Sequence, residues 1–398
     1  HDPLRRQRQM CIRDRLKPSW IKENLIGKMP NDELLVEILE CQSDTKVGHI
    51  TLNSPETLNS LTMNMVNEIS NLLDDWEVDP QIKMVFISGS GEKAFCAGGD
   101  IRALYESMCS PEGPVFAETF FESEYRLDYK IHKFSKPIIS VLDGIVMGGG
   151  AGLMFGSSYK IATERTKFAM PEIGVGLFPD VGFTSLIKDL PEGLGIYIML
   201  TATQLNSADM SFCNLVDGSL SSKDIDNFLL DIQDITWQDE ADKNLVLLDS
   251  LIKNNQYSEK VANFSASKVK EELKTIQSMT REDNLLGVFE NIMNNASADE
   301  WYEKGKESLK RGSPMSAHLI WLQCLNSPNL SLKEVFQFEL NLAIQVTRIG
   351  DFKEGIRALI IDKDNKPKWK YGSISKVSKE WIDKHTELAW RQNPLEDL

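Results

Sequence analysis

The chain is short of positive charge, of clustered cysteine and histidine, and of long apolar runs. Lys and Arg number 44 against 59 Asp and Glu, a net charge of −15 over 398 residues. A protein that grips nucleic-acid backbone needs a dense basic surface, so that class is excluded. The six cysteines (Cys11, Cys41, Cys96, Cys109, Cys213, Cys324) are scattered, with no C-x-x-C pair. They read as reduced thiols rather than a disulfide frame or a zinc site. The five histidines lie far apart with no H-x-x-x-H, and no metal site is expected from them. No run of about 18 apolar residues occurs, so no membrane-spanning helix is expected. G-x-S-x-G and the P-loop pattern are missing, and the glycines of GGGAGLMFG miss the dinucleotide-binding spacing by one residue. Serine-elbow hydrolysis, nucleotide hydrolysis and hydride transfer are thereby disfavoured. The classes left are an enzyme of another chemistry and an interaction protein.

The first sixteen residues, HDPLRRQRQMCIRDRL, stand apart from this acidic background, with five Arg against two Asp. A transit peptide would be Ser-rich and acid-poor. This segment is neither, and we expect residues 1–16 to be a non-native or disordered extension, such as adapter-derived translation. Mass analysis of the natural protein tests that.

Further along, the periodicity alternates. ELLVEILE (33–40) and VGHITLN (47–53) read as strands. Met65, Val66, Ile69, Leu72, Leu73 and Trp76 share one helical face, with Thr62 as N-cap and Asp79-Pro80 as the stop. MVFIS (84–88), IISVL (138–142) and YKIAT (159–163) read as buried strands, separated by a helix over about 115–133 and a small-residue helix opened by GGG (148–150). Strand–helix alternation predicts an α/β core over residues 31–200. Residues 201–398 read as an α-helical C-terminal region, where Ser313-Pro314 is a helix start.

Two glycine-dense loops follow apolar strands, Ala97-Gly98-Gly99-Asp100 and Gly148-Gly149-Gly150. Glycine allows close backbone approach, and a loop that opens a helix presents unpaired N–H groups. Converging, they would supply two donors to a carbonyl oxygen that gains charge. They could equally be tight turns with no ligand. PEIGVGLFPD (171–180) sets Glu172 and Asp180 eight residues apart in otherwise apolar or Gly/Pro sequence. A carboxylate in such surroundings has a raised pKa and suits acid–base work near neutrality; on a surface loop it would simply be solvated. Glu124, in FFESEYRLD, is by default a solvent-facing helical residue.

LNSPETLNSLTMNMVNEI, KAFCAGGDIRAL, VMGGGAGLMFG and FAMPEIGVGLFPDVG together resemble the enoyl-CoA hydratase/isomerase (crotonase) superfamily. More narrowly, with DFKEGIRALIIDKDNKPKW, they resemble its 3-hydroxyisobutyryl-CoA hydrolase group. The resemblance implies a crotonase-like spiral of ββα units with an α-helical C-terminal region. It implies an acyl-CoA substrate and hydrolysis of a short branched 3-hydroxyacyl-CoA in valine breakdown. By motif position, the oxyanion donors would be Gly99 and Gly149, the principal catalytic carboxylate Glu172, its partner Asp180, and Glu124 a substrate-contacting acid. No cofactor or metal is implied, CoA being part of the substrate. The compartment would be the cytoplasm of a bacterium, or the mitochondrion or peroxisome of a eukaryote.

Hydratases carry a second Glu where this chain has Gly152, and commonly Gly where it has Asp180, so hydrolysis is favoured over hydration. Two alternatives stay open: an enoyl-CoA hydratase/isomerase, and a non-enzymatic ribosome-associated relative. Ser54 and Glu56 stand where many relatives are basic, which leaves Lys93, Arg102 and C-terminal lysines to offset the charge of CoA. Phe183 is expected to narrow the acyl pocket.

Overall fold

The computed structural model describes residues 33–254 and 266–398. The extension over residues 1–16 and the first two residues of the expected core lie outside that range. Strands β1 (Leu34–Glu40) and β2 (Lys46–Leu52) pair antiparallel and lead into α1 (Met63–Val78). The Thr62 hydroxyl accepts the Met65 N–H and caps α1, which buries Met65, Val66, Ile69, Leu73 and Trp76 on one side. Three turns of chain follow, each laying down a longer strand, a short strand and a helical element. The first comprises β3 (Ile82–Gly89), β4 (Ala94–Cys96), α2 (Ile101–Cys109) and α3 (Val115–Lys133). The second comprises β5 (Ile138–Leu142), β6 (Ile145–Met147) and α4 (Gly149–Gly156). The third comprises β7 (Tyr159–Ala162), β8 (Lys167–Ala169) and a 3-10 turn over Glu172–Val175. This is the ββα spiral expected of a crotonase-like α/β fold.

The chain continues through α5 (Leu194–Thr201), buried on every side, and two short strands, β9 (Leu205–Asn206) and β10 (Gly218–Ser219). The result is a six-stranded sheet in the order β1-β2-β3-β5-β7-β10 and a four-stranded sheet in the order β4-β6-β8-β9. The sheets therefore run on past residue 200 into the C-terminal region, through strands of two residues that leave no sequence period.

The large sheet is covered on both faces, which explains why MVFIS and IISVL show no apolar–polar alternation. Val85 and Ile87 point into a core shared with α1 and α3. Met84 and Phe86 point the other way, into a second core closed by α6 (Ile225–Gln233) and α7 (Ala241–Asn254). Phe228 of α6 meets Phe86 edge to face, with ring centroids 6.0 Å apart. Helices α8 (Pro314–Asn326), capped by Ser313, and α9 (Leu332–Ile349) pack into the first core, and α9 lies along α3.

Candidate active site

The small sheet sets the site. Strands β4, β6 and β8 are parallel neighbours, so their C-terminal ends emerge side by side. Beyond β4 come Gly98 and Gly99, beyond β6 come Gly148 and Gly149, and beyond β8 comes Glu172. Sequence reasoning found these three segments without the sheet that aligns them, because strands of three residues are too short to carry a period. The glycine loops touch: a Cβ on Gly98 would lie 3.7 Å from the Gly149 nitrogen. Gly98 has φ +104 and Gly148 φ +50, conformations that cost glycine little. Leu61 donates to the Gly98 carbonyl and accepts from the Asp100 N–H, which turns the intervening Gly99 N–H away from it. Neither the Gly99 nor the Gly149 N–H donates a backbone hydrogen bond among the described residues.

Helix α3 roofs these loops. Its buried positions are Ala117, Phe120, Phe121, Glu124, Tyr125, Leu127, Asp128 and Ile131, so Glu124 and Asp128 lie in phase with the apolar stripe. The solvent-facing default for Glu124 is overturned: it is 3% exposed. A Cβ on Gly149 would sit 2.2 Å from Glu124 Oε1, and one on Gly148 would sit 3.5 Å from Glu172 Oε1. The two acids thus flank the same glycine pair. A Cβ on Gly152 would lie 2.6 Å from both Asp128 oxygens. The missing side chain at position 152 is therefore the space that Asp128 occupies.

Asp180 enters from a turn that closes on the other side. Its Oδ2 accepts from the Tyr125 hydroxyl at 2.6 Å. Val181 has φ +53, an outlier for a β-branched residue, and strain of this kind costs of order 1–3 kcal/mol. Glu339 of α9 accepts the Gly182 N–H at 2.7 Å on Oε2 and the Thr184 N–H at 3.0 Å on Oε1. Gln323 of α8 donates to the Pro179 carbonyl and, at 2.8 Å, to the Thr184 hydroxyl.

Five carboxyl groups, Glu124, Asp128, Glu172, Asp180 and Glu339, are thus buried, none more than 5% exposed. Burial, then the charge of Asp180, drives Glu124 and Glu172 well above the usual carboxylate range. Burial does the same to Asp128, reinforced by Glu124 and Asp180. Asp180 is pushed up to about 6 by burial, with the Tyr125 hydroxyl pulling against it. Glu339 is pushed up to about 8 by burial, against the donors from Thr184 and Gly182. Glu124 Oε1, Glu172 Oε2 and both Asp128 oxygens are buried without a hydrogen-bond partner among the described residues. Burying such oxygens unpaired is costly, and a bound polar ligand would satisfy them.

All five residues singled out from the sequence (Gly99, Gly149, Glu124, Glu172, Asp180) therefore meet in one place. Tyr125, Asp128, Gln323 and Glu339 were missed. Glu339 recurs in phase with the buried Val335, Phe336, Leu342 and Val346, a signal as readable as that of Asp128. Phe183 is buried, and its ring packs on Phe155 at 5.7 Å within the first core, while Phe155 in turn meets Phe168. Arg102 is exposed just past the Gly98–Gly99 loop and Lys93 is exposed at the opposite, N-terminal end of β4, while Ser54 is buried and Glu56 exposed. Among the described residues no helix is long and apolar enough to cross a membrane, and no cluster of His, Cys, Asp and Glu has metal-holding geometry.

Comparison with known proteins agrees with this architecture. A family model described as Enoyl-CoA hydratase/isomerase matches residues 47–386. A mitochondrial 3-hydroxyisobutyryl-CoA hydrolase of Danio rerio is 37% identical over 373 residues, 93% of this chain and 94% of that protein. Its namesake from Homo sapiens is 32% identical over 354 residues, 89% of this chain and 88% of that one. A solved carnitinyl-CoA dehydratase of Mycobacterium thermoresistibile superposes with a TM-score of 0.79 at 26% identity, covering 92% of this chain and 100% of that one. An enoyl-CoA hydratase of Rhodobacter sphaeroides 2.4.1 gives 0.76 at 28% identity, covering 90% and 98%. With its strands, loops and helices in that order and most of its length matched, the chain belongs to the enoyl-CoA hydratase/isomerase family.

Proposed function

We propose that the protein hydrolyses the thioester of 3-hydroxyisobutyryl-CoA, giving 3-hydroxyisobutyrate and CoA, a step of valine breakdown. The observation that carries this reading is the pair of buried carboxyl groups, Glu124 and Glu172, that flank the Gly148–Gly149 loop, each with an oxygen that has no hydrogen-bond partner among the described residues. The names of the relatives supply the acyl group.

In this reading the thioester oxygen accepts from the Gly99 and Gly149 N–H groups. These stabilise it as charge develops, each donor lowering the barrier by about 3 kcal/mol. Glu172 acts on the carbonyl carbon, either by taking a proton from an attacking water or by adding to the carbon as a mixed anhydride that water then opens. Burial raises its pKa, which makes its ionised form a stronger base than a solvated carboxylate. The carbon–sulfur bond breaks, the sulfur leaves as thiolate, and a proton delivered through the carboxyl cluster completes the thiol. Asp180, aimed by Tyr125, steers the hydroxyl of the acyl group or the water, and Glu124 binds the hydroxyl end. Donors and carboxyls suffice for every step, so the reaction as written calls for no metal or redox group. Arg102, exposed just past the Gly98–Gly99 loop, offsets part of the phosphate charge of CoA. Mitochondrial placement in a eukaryotic source follows the relatives' names.

The test is thiol release from a panel of acyl-CoA thioesters. Cleavage should be fastest with 3-hydroxyisobutyryl-CoA and at least a hundredfold slower in Glu172→Gln. An undiminished rate in that variant, or no release above background, refutes the reading. A second reading, hydration of an enoyl-CoA, draws on the hydratase and dehydratase among the solved structures. Loss of enoyl-CoA absorbance faster than thioester cleavage would favour it.

A further inference from the structure

We propose that Glu339 is a positioning residue: from C-terminal helix α9 it holds the strained turn Pro179–Thr184 so that Asp180 faces Tyr125 and the glycine loops. The inference rests on the thioester-hydrolase reading, since Asp180 matters there through its side chain.

Four observations carry it. The Glu339 carboxylate uses one oxygen on each of two backbone N–H groups, Gly182 and Thr184, at the C-terminal end of the turn. The backbone between them and Asp180 includes Val181 at φ +53 and Gly182 at φ +87. An L side chain enters that region reluctantly and leaves it unless the surroundings hold it there. The helix also presses directly on the turn: a Cβ on Gly182 would lie 3.0 Å from Phe336 Cζ, one helical turn before Glu339. Finally, Glu339 is fully buried and contacts no group that the proposed chemistry transforms. An apolar side chain of its size would leave the Gly182 and Thr184 N–H groups without that acceptor, at about 1–3 kcal/mol each. What the carboxylate supplies, and an apolar residue cannot, is the fork that fixes two N–H directions at once. Gln323 repeats the device from α8, donating to the Pro179 carbonyl and the Thr184 hydroxyl. The C-terminal helices thus reach across the fold to set the backbone from which Asp180 projects, while Tyr125 sets its side chain.

Glu339→Gln, Val181→Gly and the double variant test this by steady-state thioester cleavage. Glutamine keeps the shape of Glu339 but accepts on one oxygen only, its amide facing the other N–H. In Glu339→Gln, kcat should fall at least tenfold with KM within threefold of wild type. Adding Val181→Gly should restore most of that loss, because glycine adopts the turn conformation unaided. Wild-type kcat in Glu339→Gln, a loss confined to KM, or a double variant no better than Glu339→Gln overturns the proposal. Where Glu339→Gln does not fold, the double variant decides. Folded and within tenfold of wild type, it supports a positioning role; unfolded or inactive, it shows Glu339 serving the fold at large. Wild-type cleavage separates the two claims. Its absence defeats the hydrolase reading and this proposal together, whereas cleavage by wild type with an indifferent Glu339→Gln defeats this proposal alone.

Discussion

Gly149→Ala adds one methyl group and should cost the protein activity while sparing its stability. The new Cβ would stand 2.2 Å from Glu124 Oε1, 3.4 Å from its carboxyl carbon and 3.1 Å from Leu61 Cδ1. A separation of 2.2 Å is impossible, so something moves. The Glu124 carboxylate is the far end of a flexible side chain and moves first, which holds the folding penalty to about 1 kcal/mol, the low end for overpacking. Function has no such slack. A displaced Glu124 forfeits a charge-assisted hydrogen bond to the acyl hydroxyl, about 1.5–3 kcal/mol. The Gly149 N–H belongs to the same residue, and any retreat of its backbone weakens an oxyanion donor worth about 3 kcal/mol. Together these give a fall in kcat/KM of roughly 10³- to 10⁴-fold at about 1.4 kcal/mol per decade. Gly174→Ala is the matched control: it lies two residues from Glu172, yet its Cβ would meet nothing within 4 Å and it is exposed. That variant should cleave like wild type and melt no lower. Thermal melts and thiol-release kinetics on both variants make the comparison. A Gly149→Ala protein that cleaves substrate within threefold of wild type would refute the placement of the thioester between Gly149 and Glu124.

Tyr125→Phe removes the hydroxyl that holds the Asp180 pKa down, so the acid limb of kcat/KM, expected near pH 6 in the wild type if Asp180 sets it, should move to higher pH. A pH–rate profile with an unmoved limb counts against Asp180 as the group titrating there. Stability should also depend on pH, and its sign is fixed. A carboxyl whose native pKa exceeds its unfolded value stabilises the fold at low pH and loses that contribution as pH rises through the native value. Asp180 spans 3.8 to about 6 and Glu339 4.5 to about 8, whereas the buried His132 and His385, held down to about 4, work the other way below about pH 6.5, so the Tm of the ligand-free protein should fall between about pH 6.5 and about pH 8. A Tm that rises across this window contradicts the buried-acid picture. Gly152→Ala drives a methyl to 2.6 Å from both oxygens of the fully buried Asp128 and should destabilise by about 1–3 kcal/mol. Asp128→Ala in the same chain should recover part of that loss in chemical denaturation, and strict additivity would show that the two residues do not meet.

Residues close in sequence carried much of this protein in readable form. The period of Met65, Val66, Ile69, Leu73 and Trp76, the cap at Thr62 and the start at Ser313-Pro314 are local physics, and each element formed where its signals stand. The glycines of AGGD and MGGG and the acids of PEIGVGLFPD were equally legible, because glycine and buried acids are unusual beside apolar strands. Convergence was not. Strands β4, β6 and β8 hold three residues each, and it is their parallel pairing across the chain that sets Gly99, Gly149 and Glu172 in a row. The depth of Glu124 and Asp128 depends on which side of α3 meets α4, and the grip of Glu339 on Gly182 spans 157 residues. Burial and hydrogen bonding over such separations shift the pKa values and align the donors. Sequence therefore determined which chemical groups the protein owns, and tertiary packing alone decided that they share one water-poor space, where their charges and N–H groups act on one another.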